Sequence, residues 1–122
     1  MSKPSTAILS ALALGLVLLL ACGCSSSAAA AHTSPTESSC QQVSAVLSDG
    51  PDPGADPVGY AEAQILPLRQ LNVPDPALRA AVIQLADAYQ QFFASNGKSS
   101  NAKEAVAVAG KKLNSICPGA AS

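Results

Sequence analysis

The reactive side chains of this 122-residue sequence are its four cysteines, Cys22, Cys24, Cys40 and Cys117. A cysteine thiol can be modified, oxidised to a disulfide or used as a metal ligand, and its surroundings decide between these reactions. Cys22 and Cys24 directly follow an apolar run, whereas Cys40 and Cys117 bracket most of the remaining chain. The position of the first pair therefore suggests modification of a thiol, and the position of the second pair suggests a disulfide.

The apolar run spans residues 7–21 and follows a short segment with one cationic side chain, Lys3. A basic start, about 15 apolar residues and a small residue at the end are typical of a cleavable secretory signal peptide. The run is shorter than the roughly 20 apolar residues that a membrane span needs, and no cationic stop follows it. We therefore expect export of the chain and removal of residues 1–21.

The end of this segment, Leu19-Leu20-Ala21-Cys22, resembles the lipobox of bacterial lipoprotein precursors. In that family a diacylglyceryl group alkylates the cysteine thiol, and the prolipoprotein signal peptidase cuts before the modified residue. The resemblance implies that Cys22 becomes the lipidated N-terminus and that the protein is anchored on the extracytoplasmic side of the cell membrane. Cys24 fits the pattern less well, and a plain signal peptide that happens to contain cysteines is the alternative.

Export would place Cys40 and Cys117 in an oxidising compartment, where disulfides form and persist. A bridge between them would close almost the whole domain into one loop and contribute roughly 4 kcal/mol in the loop-entropy model. The cysteine spacing fits no zinc site, because the chain has no C-x-x-C pair and only one histidine. We predict the Cys40–Cys117 disulfide, with two buried free thiols as the alternative and Cys24 left unpaired.

The elements that must position these residues are four helices and no strand. Apolar residues recur at spacings of three and four, and Pro or Gly residues separate the periodic segments. Proline directly after Ser or Asp predicts the first three helix starts. The predicted helices run over about residues 35–48, from Pro57 to the break at Asn72-Val73-Pro74, from Pro76 to Gly97, and from a cap at Asn101 to about Ile116.

The predicted fold class is all-α, a small four-helix bundle over residues 35–118 closed by one disulfide. Pro67 lies inside the second helix, where a proline removes a backbone hydrogen bond and crowds the preceding turn. We therefore expect a kink near residues 63–66, or two short pieces. Residues 22–34 are expected to be a lipidated N-terminus and flexible tether, and residues 119–122 a disordered C-terminus.

No pattern in the sequence predicts catalysis or a bound metal. His32 lies in the tether, so no rigidly held histidine can activate a nucleophile. The acidic loop at residues 49–56 has prolines where an EF-hand needs ligands, which favours helix caps and a solvated loop. Gly97-Lys98-Ser99 lacks the earlier glycine and the preceding strand of a phosphate loop. We expect no catalytic residue, no metal and no cofactor.

The charge balance also limits the partners. Removal of residues 1–21 leaves six basic and eight acidic side chains, and tryptophan is absent. A weakly acidic chain with few aromatic residues does not suit nucleic-acid binding. Tyr89, Phe92 and Phe93 are a possible patch for a ligand or a partner, because Phe92 and Phe93 are adjacent and point about 100° apart on a helix, so that one of them can lie at the surface.

Beyond the lipobox, the chain looks like the uncharacterised small helical lipoproteins with one disulfide that actinobacteria encode. The function that we expect is a lipid-anchored cell-envelope protein without catalytic activity, which contacts another envelope protein or has a structural role. The alternative is a carrier of a small hydrophobic ligand such as a lipid or haem. It predicts a cavity between the second and third helices, lined by Leu68, Leu71, Val82, Tyr89 and Phe93.

Overall fold

The structure, a computed structural model, describes residues 34–121. Within this range the chain forms four α-helices and no strand: α1 (Pro35–Leu47), α2 (Pro57–Gln70), α3 (Pro76–Ala94) and α4 (Ser100–Ile116). The all-α fold predicted from the sequence is confirmed. The signal segment, Cys22 and the tether up to residue 33 lie outside the described residues.

The first three helices begin with the same N-terminal capping arrangement. Ser34, Asp56 and Asp75 are the N-cap residues, and a proline occupies the first turn of each helix. Each cap side chain accepts a hydrogen bond of 2.7–3.1 Å from the backbone N–H three residues on. Because the first N–H groups of a helix have no partner inside the helix, these local contacts fix where each helix starts.

The start of α4 differs from the sequence prediction. Ser99, not Asn101, is the N-cap, and its hydroxyl oxygen accepts from the Ala102 N–H at 3.2 Å. Asn96 and Gly97 both have positive φ, 49° and 68°, and therefore reverse the chain immediately after α3. Because of this tight reversal, the N-cap of α4 comes two residues before the cap predicted at Asn101.

Pro67 does not divide the second helix. The helix α2 is continuous from Pro57 to Gln70, and Pro67 lies on its exposed side. The split into two short pieces that we considered is therefore not observed. The buried face of α2 consists of Ala61, Gln64 and Leu68.

The core is centred on α3, which packs extensively against both α2 and α4, whereas α1 packs lightly on α2. Every third or fourth residue of α3 is buried, and small residues among them let the neighbouring helices approach closely. The buried residues of α3 are Leu78, Ala81, Val82, Leu85, Ala86, Ala88 and Tyr89.

Residues 119–121 pack against α4, which differs from the disordered C-terminus that the sequence predicts for 119–122. The Ala121 N–H donates to Asn114 Oδ1 at 2.8 Å, and Asn114 Nδ2 donates to the Ala121 carbonyl at 3.0 Å. Ala120 is buried. Gly119 has a φ of 81°, a conformation that favours glycine, and it turns the chain back along the helix.

The predicted Cys40–Cys117 disulfide is present, with 5.4 Å between the two Cα atoms. It joins α1 to the residue that directly follows α4 across a sequence separation of 77 residues. The covalent link adds to the packing of α1, which buries Val43 and Leu47 in the core. A loop of this length corresponds to about 4 kcal/mol in the loop-entropy model.

We expect a chain with both Cys40→Ser and Cys117→Ser to lose about 4 kcal/mol of unfolding free energy, because its unfolded state is no longer constrained. Denaturant unfolding with and without a reductant measures this loss. The reductant should destabilise the wild-type chain and leave the double variant unchanged, while Cys24→Ser should behave like wild type. An unfolding midpoint of the wild-type chain that does not respond to reduction would contradict the prediction.

Candidate functional site

The structure divides the predicted aromatic patch. Tyr89 is 8% exposed and Phe92 is half-buried, and both line one pocket, whereas Phe93 is 38% exposed and lies outside that pocket. Phe92 and Phe93 follow Tyr89 by three and four residues, so helical periodicity alone places both beside it. The packing of α4 against α3 determines which of the two phenylalanines is covered.

Tyr89 is paired with Tyr60 of α2. Their ring centroids are 5.8 Å apart, and the ring planes meet at 88° in an edge-to-face arrangement. The Tyr60 hydroxyl donates to the Leu47 carbonyl at 2.7 Å. The pair therefore ties α2 and α3 to the last residue of α1.

Burial raises the pKa of Tyr89 above the ordinary tyrosine value, and the neighbouring Tyr60 raises it further through the charge of its ionised form and a shared hydrogen bond. Burial also raises the pKa of Tyr60, although the hydrogen bond with Tyr89 partly offsets this effect. Both phenols are consequently neutral hydrogen-bonding groups at physiological pH.

These rings belong to a mostly apolar pocket of about 230 Å³, which we call the aromatic pocket. Tyr60 was not part of the predicted patch. Its position four residues before Gln64 and eight before Leu68, both buried, could have indicated that it faces inward. The pocket is lined by Pro53, Pro57, Tyr60, Tyr89, Phe92, Lys103 and Val106.

A second cavity of about 380 Å³ adjoins the aromatic pocket and shares Pro53, Tyr60, Tyr89 and Val106 with it. It continues along α4, and its lining includes small residues of α4 and of the C-terminal turn. We call the aromatic pocket and this cavity together the α4 seam. The small lining residues of the second cavity are Ala107, Gly110, Gly119, Ala120 and Ala121.

The outer surface of α3 and α4 carries a separate depression of about 900 Å³, the α3–α4 groove. Ile83 and Val108, which are 39% and 52% exposed, lie in it and form its apolar stripe. Polar and charged side chains surround them. The groove is lined by Pro76, Arg79, Ala80, Ile83, Gln84, Asp87, Ala88, Gln91, Asn101, Glu104, Ala105 and Val108.

Two of the three charged side chains that line this groove already have partners within the chain. Arg79 donates to the carbonyls of Val73 and Pro74 at 2.8 and 3.2 Å. Asp87 forms an ion pair with Arg69 at 2.8 Å. The side chain of Glu104 makes no hydrogen bond or ion pair with another side chain or loop of residues 34–121, so it is the charged side chain of the groove that remains open to a partner.

The cavity predicted between the second and third helices is not found at its proposed lining. Leu68 is 0% exposed and Val82 is 1% exposed, so a water-sized probe does not reach either side chain. A residue that lines a cavity large enough for a ligand would be accessible to such a probe. Leu68 of α2 and Val82 of α3 instead belong to the same packed core, because the alanines of α3 allow α2 and α3 to approach closely.

The described residues contain no group of three or more His, Cys, Asp or Glu side chains that could hold a metal ion. In the acidic loop, Asp52 Oδ1 accepts from the Gly54 N–H at 2.7 Å and Asp56 caps α2. These carboxylates therefore organise the loop and the helix start, as the sequence predicts. None of the helices in residues 34–121 is both long and apolar enough to cross a membrane.

Comparisons with known proteins give no relative. No protein-family model matches the chain, and no curated protein or solved structure matches it significantly.

We expect the unfolding free energy to fall as the pH rises above about 10. The unfolded chain releases the Tyr89 proton near that pH, whereas the folded chain retains it because its pKa is raised, so ionisation favours unfolding. Denaturant unfolding measured from neutral to alkaline pH tests this. The Tyr89→Phe variant, which keeps the ring, should show a shallower decline, and equal slopes for the two proteins would contradict the assignment.

Proposed function

We propose that this chain is a lipid-anchored protein on the extracytoplasmic side of the cell membrane, that it binds a protein partner of the envelope, and that it has no catalytic activity. The resemblance of Leu19-Leu20-Ala21-Cys22 to a lipobox supports the anchor. The Cys40–Cys117 disulfide supports an exported location, because structural disulfides persist in oxidising compartments.

The observation that carries the binding function is the α3–α4 groove. Two exposed apolar side chains, Ile83 and Val108, line the groove together with six polar or charged ones. Protein–protein interfaces combine apolar and polar contacts in this way. A groove between two packed helices is also suited to receive a third helix through its apolar face.

The charged side chains of the groove indicate which charge the partner should carry. Because Arg79 and Asp87 are engaged within the chain, Glu104 is the carboxylate that an incoming segment would meet. We therefore propose that the occupant is an amphipathic helix of another envelope protein, with an apolar stripe over Ile83 and Val108 and a basic side chain opposite Glu104. Such a pair at the rim would contribute more to orientation and association rate than to affinity.

The anchor is tested by growth with a labelled fatty acid. We expect Cys22→Ser to abolish both labelling and processing of the precursor, because the thiol is the atom that is alkylated. Cys24→Ser, two residues away, is the matched control and should be labelled like wild type. An unchanged labelled band for Cys22→Ser would refute the proposed lipidation site.

The groove is tested by crosslinking in the native envelope, with identification of the crosslinked neighbours. A charge at the centre of an interface typically costs about 2 kcal/mol or more, so we expect Ile83→Asp combined with Val108→Asp to reduce partner binding roughly 30-fold. Leu66→Asp is the control, because Leu66 is an exposed leucine of α2 outside the groove. Equal crosslinking of the two variants and the wild-type protein would exclude the groove as the interface.

A further inference from the structure

We infer that the α4 seam is a binding site for a free fatty acid, with the acyl chain in the aromatic pocket and the carboxylate near Lys111. The proposal concerns a different surface from the α3–α4 groove and does not depend on the proposed partner. It shares Tyr89 with the cavity that the sequence suggested between α2 and α3 but none of that cavity's other lining residues. Its support comes from the shape, the charge and the small residues of the seam.

The seam is elongated and follows one face of α4. Its α4 residues recur at spacings of three and four, which places them in a row along the helix. From Lys103 to Lys111 this row is about 12 Å long at the rise of an α-helix. A linear chain fits such a site better than a compact ligand does. The α4 residues that line the seam are Lys103, Val106, Ala107, Gly110, Lys111 and Asn114.

The charged side chains that line the seam are both cationic. Lys103 lies at the aromatic pocket and Lys111 at the adjoining cavity, and no Asp or Glu lines either of them. The acidic residues outnumber the basic ones in the sequence as a whole, so this local excess is not a consequence of composition. The α3–α4 groove, by contrast, contains Asp87 and Glu104. An anionic ligand is therefore favoured in the seam.

The polarity changes along the seam. The aromatic pocket is walled by three aromatic rings and two prolines, whereas the adjoining cavity also presents Ser44, Ser48 and Asn114 beside Lys111. An apolar chain therefore suits the first part and a charged head the second. Lys103 can lie with its methylene stem along the apolar wall and its ammonium group in water.

The head group is better matched by a carboxylate than by a phosphate. Phosphate sites usually gather several donors, such as a helix N-terminus or the fork of an arginine. The cavity next to Lys111 is lined by one cationic side chain and no arginine. One ammonium group balances the single charge of a fatty acid.

Gly110 keeps this part of the seam open. A glycine inside a helix is destabilising relative to alanine, and crowding does not require it here. A Cβ atom at position 110 would meet only the Ala121 Cβ, at 4.0 Å, which is ordinary contact. A larger side chain at this position would enter the cavity, so the glycine preserves space that the packing of the helices does not need.

The two tyrosines provide an intrinsic signal for the test. The chain contains no tryptophan and two tyrosines, Tyr60 and Tyr89, and both line the seam. The full chain, purified in a fixed concentration of non-ionic detergent, is titrated with decanoic acid that carries a nitroxide spin label, a quencher of fluorescence. We expect the tyrosine fluorescence to decrease saturably, with one equivalent of probe bound.

Matched variants locate the bound probe. Lys111→Gln should weaken binding about tenfold, as expected for the loss of one charge-assisted contact, whereas Lys112→Gln should bind like wild type because Lys112 does not line the seam. Gly110→Leu should abolish saturable quenching while leaving the helix intact by circular dichroism. The methyl ester of the probe has no carboxylate. It should therefore bind the wild-type protein as weakly as the acid binds the Lys111→Gln variant.

Three results would overturn the proposal. Quenching that rises without saturation would indicate partition into the detergent rather than a site. Equal affinities of the acid and the methyl ester would exclude the role of the carboxylate. Saturable quenching that Gly110→Leu does not change would place the probe elsewhere on the molecule.

Discussion

The disulfide between Cys40 and Cys117 is the constraint on which the arrangement of this small domain depends. The helices α2, α3 and α4 are joined by extensive apolar packing, but α1 has only a light contact with α2. The bridge fastens α1 to the end of α4, and the hydrogen bond from Tyr60 to the Leu47 carbonyl fastens its other end to α2. Between these two points Val43 and Leu47 of α1 are buried in the core. Part of the α4 seam is lined by residues 44, 47 and 48 at the end of α1 together with residues of α4.

The composition of the core determines where function can reside. Three of the seven buried residues of α3 are alanines, and such small side chains let helices approach closely. Leu68 and Val82 are fully enclosed as a result. The interior around Leu68 and Val82 is therefore closely packed, and the groove and the seam described above both lie along α4.

The two sides of α4 differ in chemistry. One side presents Glu104 and Val108 to the α3–α4 groove, with acidic character and an exposed apolar stripe. The other presents Lys103 and Lys111 to the seam, together with the gap left by Gly110. Glu104 and Val108 share a side of the helix because they are four residues apart, whereas Lys111 lies close to that side and is reached from the adjoining seam. Under the two proposals, α4 would contact a protein partner through one surface and an anion with an apolar chain through the other.

The sequence by itself determined the helix count, the disulfide and three of the four helix starts, because caps, prolines and apolar periodicity are interactions between near neighbours. Only the tertiary structure decided which residues form the candidate sites. Helical spacing allows both Phe92 and Phe93 to lie beside Tyr89, and the position of α4 covers Phe92. The reversal after α3 moved the cap of α4 to Ser99, and packing on Asn114 returned the C-terminal residues to the helix. The covering of Phe92 depends on contacts between distant segments, for which a local pattern carries no information. The Ser99 cap and the Asn114–Ala121 pair are contacts within seven residues, but no pattern of apolar spacing indicates them.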